Sequence, residues 1–246
     1  MQSSLLDFQE GAILLVDKPL KWTSFDVVNY LRVRISKALK VKKIKVGHAG
    51  TLDPLATGLL LICTGKKTKE IEKLQGFDKE YVGTFKIGAT TPSYDGETEE
   101  NQHFEIKNIT EETLRQVASE LTGAIEQIPP IFSAIKINGK NAYMHARKNH
   151  DIELKARRVH IYQFELTEIS LPFVSFRVQC SKGTYIRSLA HDFGKKLNNG
   201  AYLTALRRTK VGDYSINGAL SLEQAERLVA SVLSQDNLVN GNISLP

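Results

Sequence analysis

Apolar residues recur along this chain at two spacings, and each change of spacing marks an element. Residues 11–16 make a short apolar strand that breaks at Asp17-Lys18-Pro19. Thr23 with Asp26 three positions on forms a capping box. The helix it opens carries Val27, Val28, Leu31, Ile35 and Leu39 on one face. Leu59-Leu60-Leu61-Ile62-Cys63 is a continuous apolar run, suited to a buried strand or helix. Residues 81–89 alternate as a strand does, and the acidic, polar residues 90–102 read as a loop. Thr110 to Leu121 is a helix with Leu114, Val117 and Leu121 as its stripe, stopped at Gly123. Val174, Phe176, Val178 and Cys180 share one face of a second alternating strand. That strand passes through Ser181-Lys182-Gly183-Thr184 into a helix with Leu189, Ala190, Phe193 and Leu197 inward. Ser221 and Gln224 make another capping box, with a helix through Leu233, and the last dozen polar residues should fray. Strands and helices mix without strict alternation, which predicts an α+β fold.

One stretch breaks the pattern. From 125 to 158, Pro129-Pro130 leads into small, polar and basic residues with few apolar ones, as in an arm projecting from a core. The expected organisation is one catalytic domain over residues 1–233, with 125–158 as its arm-like insertion and 234–246 as a flexible tail.

Composition narrows the partner. The 246 residues are 41% hydrophobic and 24% charged, enough apolar material for a sizeable core. The formal net charge is +6, and the excess is clustered. Arg32, Arg34, Lys37, Lys40, Lys42, Lys43 and Lys45 crowd one short stretch; Lys66, Lys67 and Lys69 form a second cluster, and Arg207, Arg208 and Lys210 a third. Each alone reads as a solvated face, whereas three together point to a polyanion. The two cysteines, Cys63 and Cys180, lie in apolar runs and read as buried reduced thiols. With no signal region and no long apolar run, a cytoplasmic protein is expected, with no membrane association.

Several chemistries drop out. Gly65-Lys66-Lys67-Thr68 resembles the end of a phosphate-binding loop, but Leu60 stands where that motif needs a glycine. No histidine pattern has zinc-ligand spacing, so no metal is expected, and no Gly-x-Ser-x-Gly supports a serine nucleophile. His191-Asp192 reads as a surface pair. What remains is Asp53, the one acid of the turn-rich segment at residues 47–58, and Arg187, delivered by a buried strand to the start of a helix. An aspartate before proline favours turn or extended backbone, so Asp53 is held at the rim of the apolar run that follows.

Five blocks in order resemble the TruB family of tRNA pseudouridine synthases. They are Asp17-Lys18-Pro19 with Thr23-Ser24; the segment from Gly47-His48-Ala49-Gly50 through Asp53-Pro54 to Gly58; Lys79-Glu80-Tyr81; Pro129-Pro130-Ile131-Phe132-Ser133-Ala134-Ile135-Lys136; and Gly183-Thr184-Tyr185-Ile186-Arg187 followed by Leu206-Arg207-Arg208. They span residue 11 to about residue 225.

The resemblance implies a pseudouridine synthase fold, a mixed, mainly antiparallel bent sheet flanked by helices, with an RNA-clamping insertion. It implies isomerisation of uridine 55 in the T-loop of tRNA, without cofactor or nucleotide, by a monomer that holds the T-arm. Asp53 falls on the catalytic aspartate, Arg187 on the arginine that pairs with it, and Tyr81 on the tyrosine against the target base. His48, Tyr185 and Leu206 fall on residues lining the pocket of the flipped uridine, and Lys18 belongs to the substrate-binding set. A glycine is common in the family where Lys21 stands, and Asn141 and Met144 replace residues often basic and acidic in the arm. The additional C-terminal RNA-binding domain of many members is not expected, and weaker grip on the acceptor stem would follow. Two other readings stay open: a non-catalytic tRNA-folding chaperone, and a synthase acting on another RNA.

Overall fold

A computed structural model describes residues 7–132, 136–137, 140–141 and 154–239. In chain order its first elements are β1 (Ile13–Lys18), α1 (Ser24–Ala38), β2 (Val46–Ala49), β3 (Ala56–Thr64) and α2 (Ile71–Gln75). There follow β4 (Lys79–Ile87), β5 (Ala89–Thr90), β6 (Gln102–His103), α3 (Glu111–Glu120), β7 (Gly123–Gln127), β8 (Lys136–Ile137) and β9 (Lys140–Asn141). The last are β10 (Arg157–Ser170), β11 (Phe173–Cys180), α4 (Ile186–Lys196), β12 (Ala201–Val211), β13 (Tyr214–Ser215) and α5 (Leu222–Val239). The chain divides into two compact units, one of Met1–Phe77 with Arg208–Pro246 and one of Asp78–Arg207.

In the first unit, β3 pairs antiparallel with β1 on one side and with β2 on the other. Its unbroken apolar run has a simple cause, since both faces are covered. Leu60 and Ile62 join Val27, Val28, Leu31 and Ile35 of α1 and Ala225 and Val229 of α5. Leu59, Leu61 and Cys63 face a second cluster with Ala49, Leu74 and Val211. Each such aliphatic side chain contributes about 1.5–3 kcal/mol on burial. The capping box at Thr23 is present, with Asp26 N donating to Thr23 Oγ1 at 3.0 Å and Thr23 N donating to Asp26 Oδ2 at 2.8 Å. The second box, between Ser221 and Gln224, is also formed, and α5 runs on to Val239, past the expected end at Leu233. Lys21 adopts φ 66°, the left-handed conformation that explains why glycine suits this position.

In the second unit, β4, β11, β10 and β7 form consecutive antiparallel pairs. Phe85 of β4, Phe164 of β10, Phe176 of β11 and Phe193 of α4 form one aromatic cluster, with Phe85 and Phe193 at 4.7 Å between ring centroids. Phe193 thus fixes α4 on the sheet. The residues expected to be arm reach into that sheet at both ends, with Arg157 opposite Gln127 and Arg158 opposite Glu126. Ser133, Ala134, Ile135 and Met144, and residues 240–246 of the expected tail, lie outside the described residues.

Residues 90–102 form the loop their acidity suggests, but three of its polar residues turn inward. Thr91, Ser93 and Asp95 are buried, and β5 pairs with β6 across the segment's two ends. Thr91 Oγ1 and Ser93 Oγ both donate to the Asp95 carbonyl, at 2.7 and 3.2 Å. These bonds replace those that water would have supplied, which is how the hydroxyls at 91 and 93 go inside.

Candidate active site

Asp53 sits half-buried between β2 and β3, in a turn closed by Ala56 N donating to the Asp53 carbonyl at 3.0 Å. Its neighbours on both sides are fastened to other elements. On the N-terminal side, Leu52 is buried, and both its backbone groups bond to the buried Ser24 hydroxyl at the start of α1. On the C-terminal side, the Pro54 carbonyl accepts from Lys21 N at 2.8 Å and from Lys18 Nζ at 3.5 Å. The carboxylate therefore sits on a segment whose flanks are pinned independently.

Lys18 ends β1 with 0% exposure. Its ammonium also donates to the carbonyls of Pro19 at 2.9 Å and Trp22 at 2.6 Å. Burial pulls its pKa down to about 8, the Asp53 charge works in the opposite direction, and Arg208 adds to the depression. His48, half-buried in β2, is held below the usual histidine value, first by burial and then by Arg208.

Arg208 lies apart from the exposed cationic cluster in which its neighbours place it. It is 1% exposed, with Nε donating to the Leu59 carbonyl at 2.8 Å and Nη2 to the Gly50 carbonyl at 3.0 Å. Its backbone passes so close to Gly58 (φ 104°) that a Cβ there would collide with the Arg208 carbonyl oxygen. Gly58 is therefore required by a close approach to one buried arginine, and Gly50 by its own φ of 92°. This brace was missed in the sequence because Arg207, Arg208 and Lys210 read together as a basic cluster facing a polyanion.

Tyr81, Tyr185, Arg187 and Leu206 belong to the second unit. Arg187, in the first turn of α4, is 4% exposed. Its Nη1 donates to the Ser93 carbonyl at 3.3 Å and its Nη2 to the Phe132 carbonyl at 2.8 Å, while Nε lies 3.6 Å from Asp95 Oδ2. Asp95 is the residue the sequence reading missed, hidden in a run that composition assigns to solvent. Ahead of the helix, Tyr185 N donates to the buried Gln127 side chain at 2.8 Å, and Ser188 Oγ donates to the Ile128 carbonyl at 2.7 Å. Tyr81 is buried in β4 opposite Val178, and Leu206 is half-buried in β12.

The pair expected at the surface, His191-Asp192, is half-buried instead. His191 stacks on Tyr94 with centroids 4.0 Å apart, and burial raises Asp192 to about 6. The covered face of α4 is wider than its periodicity suggested, because Tyr94 and Asp95 of the 90–102 loop meet His191 and Arg187 there. Among the described residues no cluster of His, Cys, Asp or Glu is suited to hold a metal, and no helix is long and apolar enough to cross a membrane. Cys63 and Cys180 are buried free thiols, raised by burial to about 11 and about 12.

Known proteins give this arrangement its context. Residues 36–186 match the family model described as TruB family pseudouridylate synthase, N-terminal domain, and residues 187–238 match the tRNA pseudouridylate synthase B C-terminal domain. The tRNA pseudouridine synthase B of Flavobacterium johnsoniae is 58% identical over 88% of this chain and 95% of its own length. That of Phocaeicola vulgatus is 56% identical over 89% of this chain and 93% of its own. Among solved structures, a chain of a Cbf5-Nop10-Gar1 complex shares 28% identity and aligns with a TM-score of 0.66. That alignment covers 96% of this chain and 58% of the other. A family model covering more than half the sequence, and relatives above 50% identity along nearly their whole length, carry one conclusion: the chain belongs to the TruB family of pseudouridylate synthases.

Proposed function

We propose that this enzyme converts uridine to pseudouridine in tRNA, at position 55 of the T-loop, acting as a monomer. The observation that carries the reading is the mounting of Asp53, a lone acid on a loop fastened from Ser24, Lys18 and Arg208. The names of its relatives supply the substrate class. The isomerisation breaks the N1–C1′ bond, turns the uracil while it stays bound, and joins C5 to C1′. The C5 proton is lost and N1 gains one, so no atom or electron is exchanged overall and the reading includes no cofactor.

Asp53 supplies the carboxylate that acts at the sugar or base. Arg187 is the arginine that the resemblance assigns to work with that carboxylate as a nucleophile. Tyr81 lies against the base, where stacking returns about 1–3 kcal/mol of the few that extrusion from the loop costs. His48, Tyr185 and Leu206 line the pocket of the extruded uridine. Lys18 serves the same site through the Pro54 carbonyl that it helps to hold.

The test is to incubate the protein and Asp53→Asn with an unmodified tRNA transcript and map pseudouridine by position. Pseudouridine at position 55 with the wild type alone is expected, with tRNA binding nearly equal for the two. Bound tRNA without any pseudouridine would replace this reading with that of a tRNA-folding chaperone. Pseudouridine absent from tRNA but present in another RNA would move the substrate.

A further inference from the structure

The three basic clusters are not equivalent in the fold. Arg208 is buried and bonded to carbonyls. Lys66 pairs with Glu10 at 2.7 Å, and Lys67 with Glu70 at 2.6 Å. The cations of residues 42–45 and Lys69 are different, for no ion pair engages them among the described residues. They surround two adjoining clefts. One, of about 600 Å³, is lined by Arg32, Lys42, Lys43 and Lys45 together with Thr68 and Gly47 of β2. The other, of about 380 Å³, takes Lys43 and Lys45 on one wall and Lys66 and Lys69 on another. Neither cleft has an aspartate or glutamate in its lining.

The ridge between them is anchored. Ile44 is buried in the core beneath α1, so Lys43 and Lys45, one on each side of it, are exposed. Gly65 N donates to the Lys45 carbonyl at 2.9 Å, and Val41 N donates to the Ser36 carbonyl at 3.1 Å. Arg32 is steadied by Asn29, which accepts from its Nη2 at 2.6 Å, and by the Phe25 ring. Cations on fixed backbone lose less freedom on binding than those on a loose tail.

We propose that the ridge at Lys43-Ile44-Lys45, with Arg32, Lys42 and Lys69, is a dedicated binding site for RNA backbone phosphates. It deepens the proposed function and rests on that reading. The ridge runs directly into β2, and so into His48 and the Asp53 loop. Cations lining two adjoining clefts without local acids, on a ridge continuous in chain with β2, fit an extended polyanion. The site sets affinity and register, and contributes nothing to the chemical step.

The experiment compares the wild type with K42A/K43A/K45A and with K66A/K67A, whose lysines already have acidic partners. Binding of unmodified tRNA transcript is measured between 50 and 200 mM KCl, and pseudouridine formation at saturating tRNA. Equal melting temperatures establish that all three proteins are folded. The cleft variant should lose about 2 to 3 from the slope of log affinity against log salt, roughly one per phosphate contact removed. Its turnover at saturation should match the wild type, and K66A/K67A should keep the wild-type slope. An unchanged slope for K42A/K43A/K45A, or an equal loss in K66A/K67A, would overturn the site. If wild type forms no pseudouridine while the slopes still differ, the functional reading fails and the phosphate site stands.

Discussion

Ser24 and Leu52 hold each other through one hydroxyl: Leu52 N donates to Ser24 Oγ at 2.8 Å, and Ser24 Oγ is 3.2 Å from the Leu52 carbonyl. Both residues are buried, so water cannot replace either bond. Ser24→Ala leaves a buried N–H and C=O without that partner, at a cost of about 1–3 kcal/mol for such an unsatisfied group. Because Leu52 precedes Asp53, turnover should fall while tRNA affinity changes little. Urea unfolding with single-turnover pseudouridine formation checks both halves. A loss of affinity equal to the loss of turnover would assign Ser24 to RNA contact instead.

Arg208 gives the second prediction. Arg208→Lys keeps the charge but loses the rigid planar fork whose separate Nε and Nη2 atoms reach the Leu59 and Gly50 carbonyls. It should destabilise the protein by about 1–3 kcal/mol, the range for a buried acceptor left unmade. The salt dependence of tRNA binding should stay as in the wild type. A lower melting temperature with an unchanged salt slope is the expected pair of readings; the reverse pair would return Arg208 to the phosphate-binding surface.

How much of this was legible in the sequence differs by element. α1, α3 and α4, the apolar run of β3 and the alternation of β11 follow from local periodicity, and the structure has each of them. Thr23 and Asp26 cap α1 because both partners lie within one turn. Ser24, Asp95 and Arg208 were invisible in their roles because their partners are remote. Arg208 bonds to residues 149 and 158 positions away, and no window of sequence contains both ends. Within the 90–102 loop, the burial of Thr91, Ser93 and Asp95 was hidden for a related reason. The hydroxyls of Thr91 and Ser93 bond the Asp95 carbonyl inside the protein, whereas composition can report only that water would satisfy them.

Lys18 makes stability depend on pH with a definite sign. Its pKa is about 8 in the folded protein against an ordinary 10.5. Between those values the unfolded chain keeps the proton and the folded chain releases it, so this lysine's contribution rises with pH across that window. Below pH 8 the folded state bears the full cost of burying the ammonium. The two pKa values correspond to about 3 kcal/mol across the window. Unfolding free energies at pH 7.5 to 10.5 should climb more steeply in the wild type than in Lys18→Met. Parallel curves would mean that Lys18 is not protonated differently in the two states.

Asp95 supports the last prediction, because it separates charge from shape. Arg187 and Asp95 are both about 95% buried, with Nε 3.6 Å from Oδ2. Removing one partner of such a pair strands the other, typically at about 3–5 kcal/mol. Asp95→Ala should therefore unfold at markedly lower denaturant. Asp95→Asn keeps the volume and one carbonyl oxygen towards the guanidinium, and it keeps the backbone carbonyl that Thr91 and Ser93 bond. It should recover part of the stability. If Asp95 serves only to bury α4, turnover should recover in step with stability. If it also orients the Arg187 guanidinium, Asp95→Asn should fold near the wild type and remain slow, with Arg187→Lys adding less than its own effect when the two are combined. Single-turnover rates for the two single variants and the double variant, each set against its unfolding free energy, decide between these outcomes.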